Sequence, residues 1–355
     1  MTPRFHTLTI SDVRRECGDA FSLAFQVPPE LAGDYAFLPG QHIGLRADVD
    51  GEPLRRSYSL CSTPGSAELR VGIREVPGGR FSNWASRKLG VGDRIDVMTP
   101  DGRFCPALDA AHRKHYAAFA AGSGITPVLS IAGAVLASEP LSRVTVVYGN
   151  RQLASAMFLE ELGALKDGHL GRFVLHNVFS REPQDVPLFE GRLDGARVRE
   201  FAATLLPVET IDEAFVCGPG AMIDEVEAAL IDLGMPPDRV HVERFGVPSD
   251  AGAHRLEAGD APQSNILVEL DGARRQVEFR AGDASILEAA LRAGLDLPYS
   301  CKGGMCCTCR ARVTRGEVRM DKNYSLDAAD VAAGFVLTCQ AHPLTERVEV
   351  SFDAR

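Results

Sequence analysis

Through the first hundred residues, apolar and polar positions alternate in short runs separated by Gly, Pro and Asp turns, at 5–13, 21–27, 42–47, 56–60, 69–73 and 94–98. Period-two alternation marks strands with one buried face, and six of them at this spacing predict a small antiparallel β-barrel. From residue 115 the rhythm changes. Apolar runs at 116–120, 144–148, 173–179, 214–216 and 240–242 now alternate with helical patterns at 128–136, 157–165, 198–205 and 222–230. This order predicts βαβ units around a parallel sheet, an α/β architecture that binds nucleotides at strand C-termini. A polar, turn-rich stretch at 248–264 reads as a linker. Beyond it, strands at 266–270 and 276–279 flank Asp271-Gly272 as a hairpin, and a helical pattern follows at 286–293. The expected division is therefore multidomain: 1–108, 109–247, the linker 248–264, and an α+β unit at 265–355.

Composition narrows the function. Hydrophobic residues at 45% and charged residues at 24% are those of folded domains and exclude a disordered or coiled-coil chain. A net charge of -10 leaves no broad cationic surface for nucleic-acid phosphates or an anionic membrane, so neither is an expected partner. The N-terminal residues lack an apolar core of signal-peptide length, and the apolar stretch 116–137 is broken by Gly122-Ser123-Gly124-Ile125-Thr126-Pro127. Five of the nine cysteines fall between Cys301 and Cys339, which points to a ligand cluster in a reducing, cytoplasmic setting rather than to disulfides.

Cys301, Cys306 and Cys309 have the spacing Cys-x4-Cys-x2-Cys, and Cys339 stands alone further on. This is the plant-type [2Fe–2S] arrangement, in which four thiolates satisfy two irons. Gly303 and Gly304 inside the x4 segment can turn backbone N–H groups toward an anionic centre. A structural zinc site is the alternative, but zinc favours two short Cys pairs, and only one is present here. Cys307 fits neither ligand spacing and reads as a small packed residue.

Arg56-Ser57-Tyr58-Ser59 lies on a barrel strand and alternates a cation able to pair with a pyrophosphate and a ring able to stack on a flat heterocycle. Gly79-Arg80-Phe81-Ser82 precedes a helical stretch, where free N–H groups suit a phosphate. Gly122, Gly124 and Thr126 occupy the first strand–helix turn of the α/β unit, and Cys217-Gly218-Pro219 a second turn facing the same crevice. Ser180 and Arg181 follow the third strand, where Arg181 can grip a ribose 2′-phosphate and favour NADPH over NADH, although Glu182 is adjacent. Taken singly, each motif has an ordinary structural explanation: a tight turn, a surface ion pair or a half-buried barrel ring.

Together, the runs RRSYSLC, GGRFSNW, AAGSGITPVLSI, VYGNR, DEAFVCGPGAMID, HVERF, LPYSCKGGMCCTC and NYSL resemble the ferredoxin–NADP reductase superfamily fused to a C-terminal plant-type ferredoxin, over nearly the whole chain. More narrowly, they are similar to the reductase components that serve di-iron phenylacetyl-CoA epoxidases. The resemblance implies an FAD barrel, a nicotinamide domain and a β-grasp ferredoxin domain. It implies that Arg56 pairs with the FAD pyrophosphate, Tyr58 stacks on the isoalloxazine, Ser59 lies near its reactive nitrogen, and Gly79 to Ser82 hold phosphate. Thr126 and Cys217 would flank the nicotinamide. Glu243 and Phe245 would lie near the flavin, and Ser59, Cys217 and Glu243 would act in catalysis. The expected activity is transfer of electrons from NADPH through FAD and the cluster to the epoxidase. The same reductase could serve another oxygenase, hydroxylase or hybrid-cluster protein, and a non-redox zinc module is the reading from a different class. From Asn265 to Arg355 there are 12 Lys+Arg and 13 Asp+Glu, with Lys302, Arg310 and Arg312 close to the cysteines. A mixed docking patch is therefore expected, without strong steering.

Overall fold

The structure is a computed structural model that describes residues 3–246, 261 and 263–354. The chain forms two compact units: His6–Leu54 with Tyr58–Phe245, and a second that comprises the C-terminal domain, the N-terminal residues through Phe5, and Arg55–Ser57.

The first unit opens with strands β1 (Phe5–Cys17), β2 (Ala20–Gln26), β3 (His42–Val49), β4 (Glu52–Ser59) and β5 (Leu69–Arg74), then helix α1 (Arg80–Lys88) and strand β6 (Arg94–Met98). They hydrogen-bond in the order β4-β3-β6-β1-β2-β5, and Leu60, just past β4, bridges Val71 of β5 to bring the two ends together. The inward residues Leu8, Ile10, Leu23, Ile43, Leu45, Val71 and Val97 form one core with Phe81 of α1, as the alternation demands.

The nucleotide-type domain follows with β7 (His115–Ala121), α2 (Ile125–Ser138), β8 (Arg143–Asn150), α3 (Leu159–Gly168), β9 (Phe173–Phe179), α4 (Gly195–Thr204), β10 (Glu213–Gly218), α5 (Gly220–Asp232) and β11 (Val240–Arg244). The sheet is parallel, in the order β11-β10-β7-β8-β9. Successive strands run outward from β7 on one side and then restart at β10 on the other. The C-terminal ends of β7 and β10 therefore border the topological switch point, where a crevice opens. The apolar stretch at 116–137 is accounted for by β7 and α2: Ile125 through Leu136 are all buried. No helix among the described residues is long and apolar enough to cross a membrane. On the barrel side, Ser130 of α2 donates to the Ser62 carbonyl at 2.7 Å, and a Cβ on Gly133 would stand 2.3 Å from Thr63 Oγ1. Barrel and sheet thus share one packed seam.

The second unit contains β12 (Gln263–Leu270), β13 (Ala273–Arg280), α6 (Ile286–Arg292), β14 (Arg310–Arg315), β15 (Val318–Met320), α7 (Ala328–Ala332), β16 (Phe335–Leu337), β17 (Ala341–Pro343) and β18 (Arg347–Ser351). Its main sheet runs β13-β12-β18-β14-β16, with β12 and β18 parallel and α6 packed into the same core through Ile286, Leu287, Ala289 and Ala290. Of the expected linker, residues 248–260 and 262 lie outside the described residues. Gln263 and Ser264, expected in that linker, instead begin β12, because their backbone continues the ladder to Arg280 and Phe279. The strands beyond the cysteines are short, three to six residues each, and are not among those the sequence pattern predicts.

Candidate functional site

In the barrel, β4 delivers the Arg-Ser-Tyr-Ser run. Arg56 is exposed with its guanidinium on the Arg55 carbonyl at 2.7 Å, and Ser57 is half-buried. Tyr58 is half-buried, its ring 6.0 Å from that of Phe81, which is in turn 5.6 Å from Trp84. The phosphate-type turn differs in one respect from expectation. Arg80, Phe81 and Ser82 are not ahead of the helix but form its first turn, capped by Gly79 in an extended conformation with no side-chain cap and no acidic residue in that turn. Such a helix end presents free N–H groups and partial positive charge. The side chains face elsewhere: Phe81 lies in the barrel core, Arg80 pairs with Glu52, and the Ser82 hydroxyl accepts from Val76 N at 3.2 Å. What this turn offers a ligand is its backbone.

The two turns of the α/β domain meet at the switch point. Gly122 takes φ +56°, and a short 3-10 turn, Gly122–Gly124, leads into α2. A Cβ on Gly124 would stand 2.1 Å from the Cys217 carbonyl oxygen, so the two loops touch only because this residue is glycine. Gly218 has less room than a Cβ needs, with the Met222 sulfur 2.8 Å from where it would sit and Ala121 at 3.3 Å, and Pro219 caps α5. Thr126 is buried and donates to the Ser123 carbonyl at 2.9 Å, and Cys217 is fully buried. Burial pushes the Cys217 thiol well above its ordinary pKa, with the Glu243 charge adding to the effect, so it remains a neutral thiol.

Ser59, at the end of β4, donates to Glu243 Oε2 on β11 at 3.1 Å. Glu243 is half-buried as a residue, but protein crowds its carboxyl group. Desolvation, only partly offset by the Ser59 hydrogen bond, pushes its pKa up to about 8. A carboxylic acid that keeps its proton at neutral pH is thus held against a hydroxyl on the neighbouring barrel strand. Phe245, two residues on, is 38% exposed and offers a free aromatic face.

A separate cavity of about 290 Å³ opens on the β8–β9 side of the sheet, lined by Gly18 and Asp19 of the β1–β2 turn, Arg151, Gln152 and Ser155 after β8, and Arg181 after β9. Arg181 is exposed and its N–H bonds the Arg151 carbonyl at 2.8 Å, which holds the two arginines' loops together. Ser180 is likewise exposed, its N–H on the Asn150 carbonyl at 2.9 Å. Glu182 accepts from Leu153 N at 2.7 Å and does not line the cavity. Arg151, the last residue of the VYGNR run, is a member of the site that the sequence does not single out. Its signal is its place: it follows β8 as Arg181 follows β9.

In the C-terminal domain the four cysteines come together in one group: Cys301 bonds Cys306, Cys309 bonds Cys339, and charge interactions link the two pairs. Among the described residues no three His, Cys, Asp or Glu side chains form a group able to hold a single metal ion. Four thiols in one group suit a two-iron centre held by four thiolates. Lys302 and Gly304 both take positive φ, +53° and +79°, and the loop turns its N–H groups inward: Gly303 N and Met305 N lie 3.3 and 3.4 Å from Cys301 Sγ. Gly304 N and Gln340 also bond Cys339 sulfur. The bond from Cys306 outweighs burial and, aided by the Gly303 and Met305 amides, lowers the Cys301 pKa to about 7. That favours the thiolate a metal needs. Cys307 points away, its Sγ on the Ser325 carbonyl at 3.2 Å. Of the nearby cations, Lys302 is paired with Glu288 at 2.6 Å and Arg310 with Asp330 at 2.8 Å, whereas Arg312 is exposed.

Comparison with known proteins agrees with these three architectures in their order. Residues 7–105 match the oxidoreductase FAD-binding domain, 119–228 the oxidoreductase NAD-binding domain, and 268–344 the 2Fe-2S iron-sulfur cluster binding domain. The chain is 45% identical to a subunit of the 1,2-phenylacetyl-CoA epoxidase of Escherichia coli (strain K12), over 99% of this chain and 98% of that one. It is 36% identical to the ferredoxin reductase component of 3-ketosteroid-9-alpha-monooxygenase of Rhodococcus rhodochrous, over 97% and 96% of the two chains. Phthalate dioxygenase reductase shares the fold, with a TM-score of 0.60 over 98% of each chain at 22% identity. The chain therefore belongs to the ferredoxin–NADP reductase superfamily, among the electron-transfer oxidoreductases of oxygenase systems that join FAD- and NAD-binding domains to a C-terminal [2Fe–2S] domain.

Proposed function

We propose that this reductase draws electrons from NADPH and delivers them singly to a di-iron epoxidase acting on phenylacetyl-CoA, in the cytoplasm. The observation that carries the choice of partner is the 45% identity, along essentially the full length of both chains, to a component of such an epoxidase. The choice of NADPH rests on the cavity in which Arg151 and Arg181 come together while Glu182 is engaged elsewhere. Two guanidinium groups and the Ser155 loop suit a phosphate monoester, and the carboxylate in the lining, Asp19, is engaged by Arg74 and Arg151.

When bound, FAD accepts an electron pair and releases it one electron at a time, which suits a one-electron cluster. The protein's own residues position and protect. The Arg56 guanidinium and the N–H groups from Gly79 to Ser82 would hold the FAD pyrophosphate, and Tyr58 would cover the ring. The Gly122–Thr126 and Cys217–Pro219 turns would shape the nicotinamide site, with Phe245 nearby. Glu243 accepts the Ser59 hydroxyl at Oε2 and would carry its proton on the other carboxyl oxygen, available for exchange with a ring nitrogen of the bound flavin. Cys301, Cys306, Cys309 and Cys339 would hold the cluster, and their surrounding amides would stabilise its negative charge. Domain limits near 108, 247 and 264 belong to the same reading. Mixing the NADPH-reduced protein with purified oxygenase components tests it. Product is expected with the phenylacetyl-CoA epoxidase and not with a 3-ketosteroid or glycine betaine oxygenase. Turnover supported equally with all three would remove the assignment of partner.

A further inference from the structure

The cavity that holds Arg151 and Arg181 also contains an anion from the barrel. Asp19 lies in the β1–β2 turn, within the same compact unit, and is bound from two sides, by Arg74 on Oδ1 and by Arg151 Nη2 on Oδ2 at 2.9 Å. Cys17 donates a third bond, Sγ to Oδ1 at 3.3 Å. The two arginines differ in what else holds them. Arg74 is 17% exposed and also grips the Ser155 carbonyl at 2.9 Å, so it is fixed in the wall. Arg151 is 53% exposed, and its bond to Asp19 has the weak, exchangeable character of a surface ion pair. Burial works against the Asp19 charge, but Arg74, Cys17 and Arg151 together hold its pKa below the ordinary carboxylate value. It is therefore an anion at neutral pH.

An incoming phosphate monoester must take Arg151 from Asp19, while Arg74 keeps the carboxylate in place. Asp19 then stands as a like charge beside the phosphate, a repulsion that a ribose hydroxyl does not meet. We propose that Asp19 is a specificity-determining residue, an internal anion that occupies Arg151 until a 2′-phosphate displaces it and so tempers the preference for NADPH over NADH. The inference rests on reading this cavity as the ribose-phosphate site.

The test is Asp19→Asn in the full FAD- and iron-loaded chain, with NADP⁺ and NAD⁺ dissociation constants followed by flavin difference spectra and 2′-AMP as the phosphate probe. NADP⁺ and 2′-AMP should bind roughly fivefold more tightly and NAD⁺ about as before, so that the ratio of the two constants shifts toward NADP⁺. An unchanged ratio overturns the proposal. So does a shift toward NAD⁺, which would make Asp19 a support that positions Arg151. Arg181→Ala separates the two levels. If it fails to weaken NADP⁺ more than NAD⁺, the phosphate reading itself is wrong; if it does so while Asp19→Asn leaves the ratio alone, only the present inference falls. Should Asp19→Asn not fold, Asp19→Ser is the substitute, with the same outcomes.

Discussion

Gly124 lies against the Cys217 carbonyl so closely that an added methyl group would sit 2.1 Å from the oxygen. This single contact joins the first and fourth strand ends of the nucleotide domain and defines the crevice between them. Gly124→Ala should cost about 1–3 kcal/mol in stability through forced separation of the loops. It should slow flavin reduction by NADPH more than it lowers Tm. Thermal unfolding and stopped-flow reduction measured side by side check this, and wild-type kinetics in a folded variant would contradict it.

Glu243 should impose a pH dependence of defined sign. Its pKa is raised from 4.5 to about 8, so the folded protein retains a proton that the unfolded chain has lost. The associated stability is complete below about 4.5 and declines as pH rises toward about 8. Flavin reduction that relies on this proton should fall over the upper part of the same window. Glu243→Gln should flatten both profiles between pH 6 and 9, as chemical denaturation and single-turnover reduction would show.

Replacing Cys309 by Ser should interrupt the path at one point only. Flavin reduction by NADPH is expected to persist, whereas electron delivery to the oxygenase and the low-temperature magnetic resonance signal of the reduced cluster should be lost. Retained delivery would mean that electrons bypass the cluster.

Arg181→Ala should raise the KM for NADPH roughly tenfold or more, through loss of a charge-assisted bond, and change that for NADH far less. Steady-state kinetics with both nucleotides decide it.

Because Lys302 and Arg310 are already neutralised by Glu288 and Asp330, the surface near the cysteines offers little net charge for long-range attraction. Electron transfer to the partner should therefore change only weakly between low and physiological salt. A steep decline with salt would point to a charged docking surface.

What the sequence discloses follows from how local each feature is. The strand at 173–179 and the barrel strand at 94–98 coincide with β9 and β6, because runs with a clear period fix their own geometry. The cysteine spacing is equally local. The pairing of Ser59 with Glu243 is not, since their strands are distant in sequence and meet only when barrel and sheet pack together. Asp19 and Arg151 are hidden for the same reason: a turn in one domain and a loop in another carry no mark of their encounter. The strands β15, β16 and β17 elude pattern reading because each has three residues and is held by its neighbours, whereas β14 and β18 alternate but only over five or six residues.

The pairwise bonding of the cysteines within their group bears on how the C-terminal domain matures. One pair closes a bend of a few residues that could form as soon as that bend exists. The other, Cys309 with Cys339, joins the bend to the end of β16, the strand next to β14. Iron uptake would then act as a late stitch, and a chain starved of metal should keep its barrel and nucleotide fold while the last stretch loses its seam.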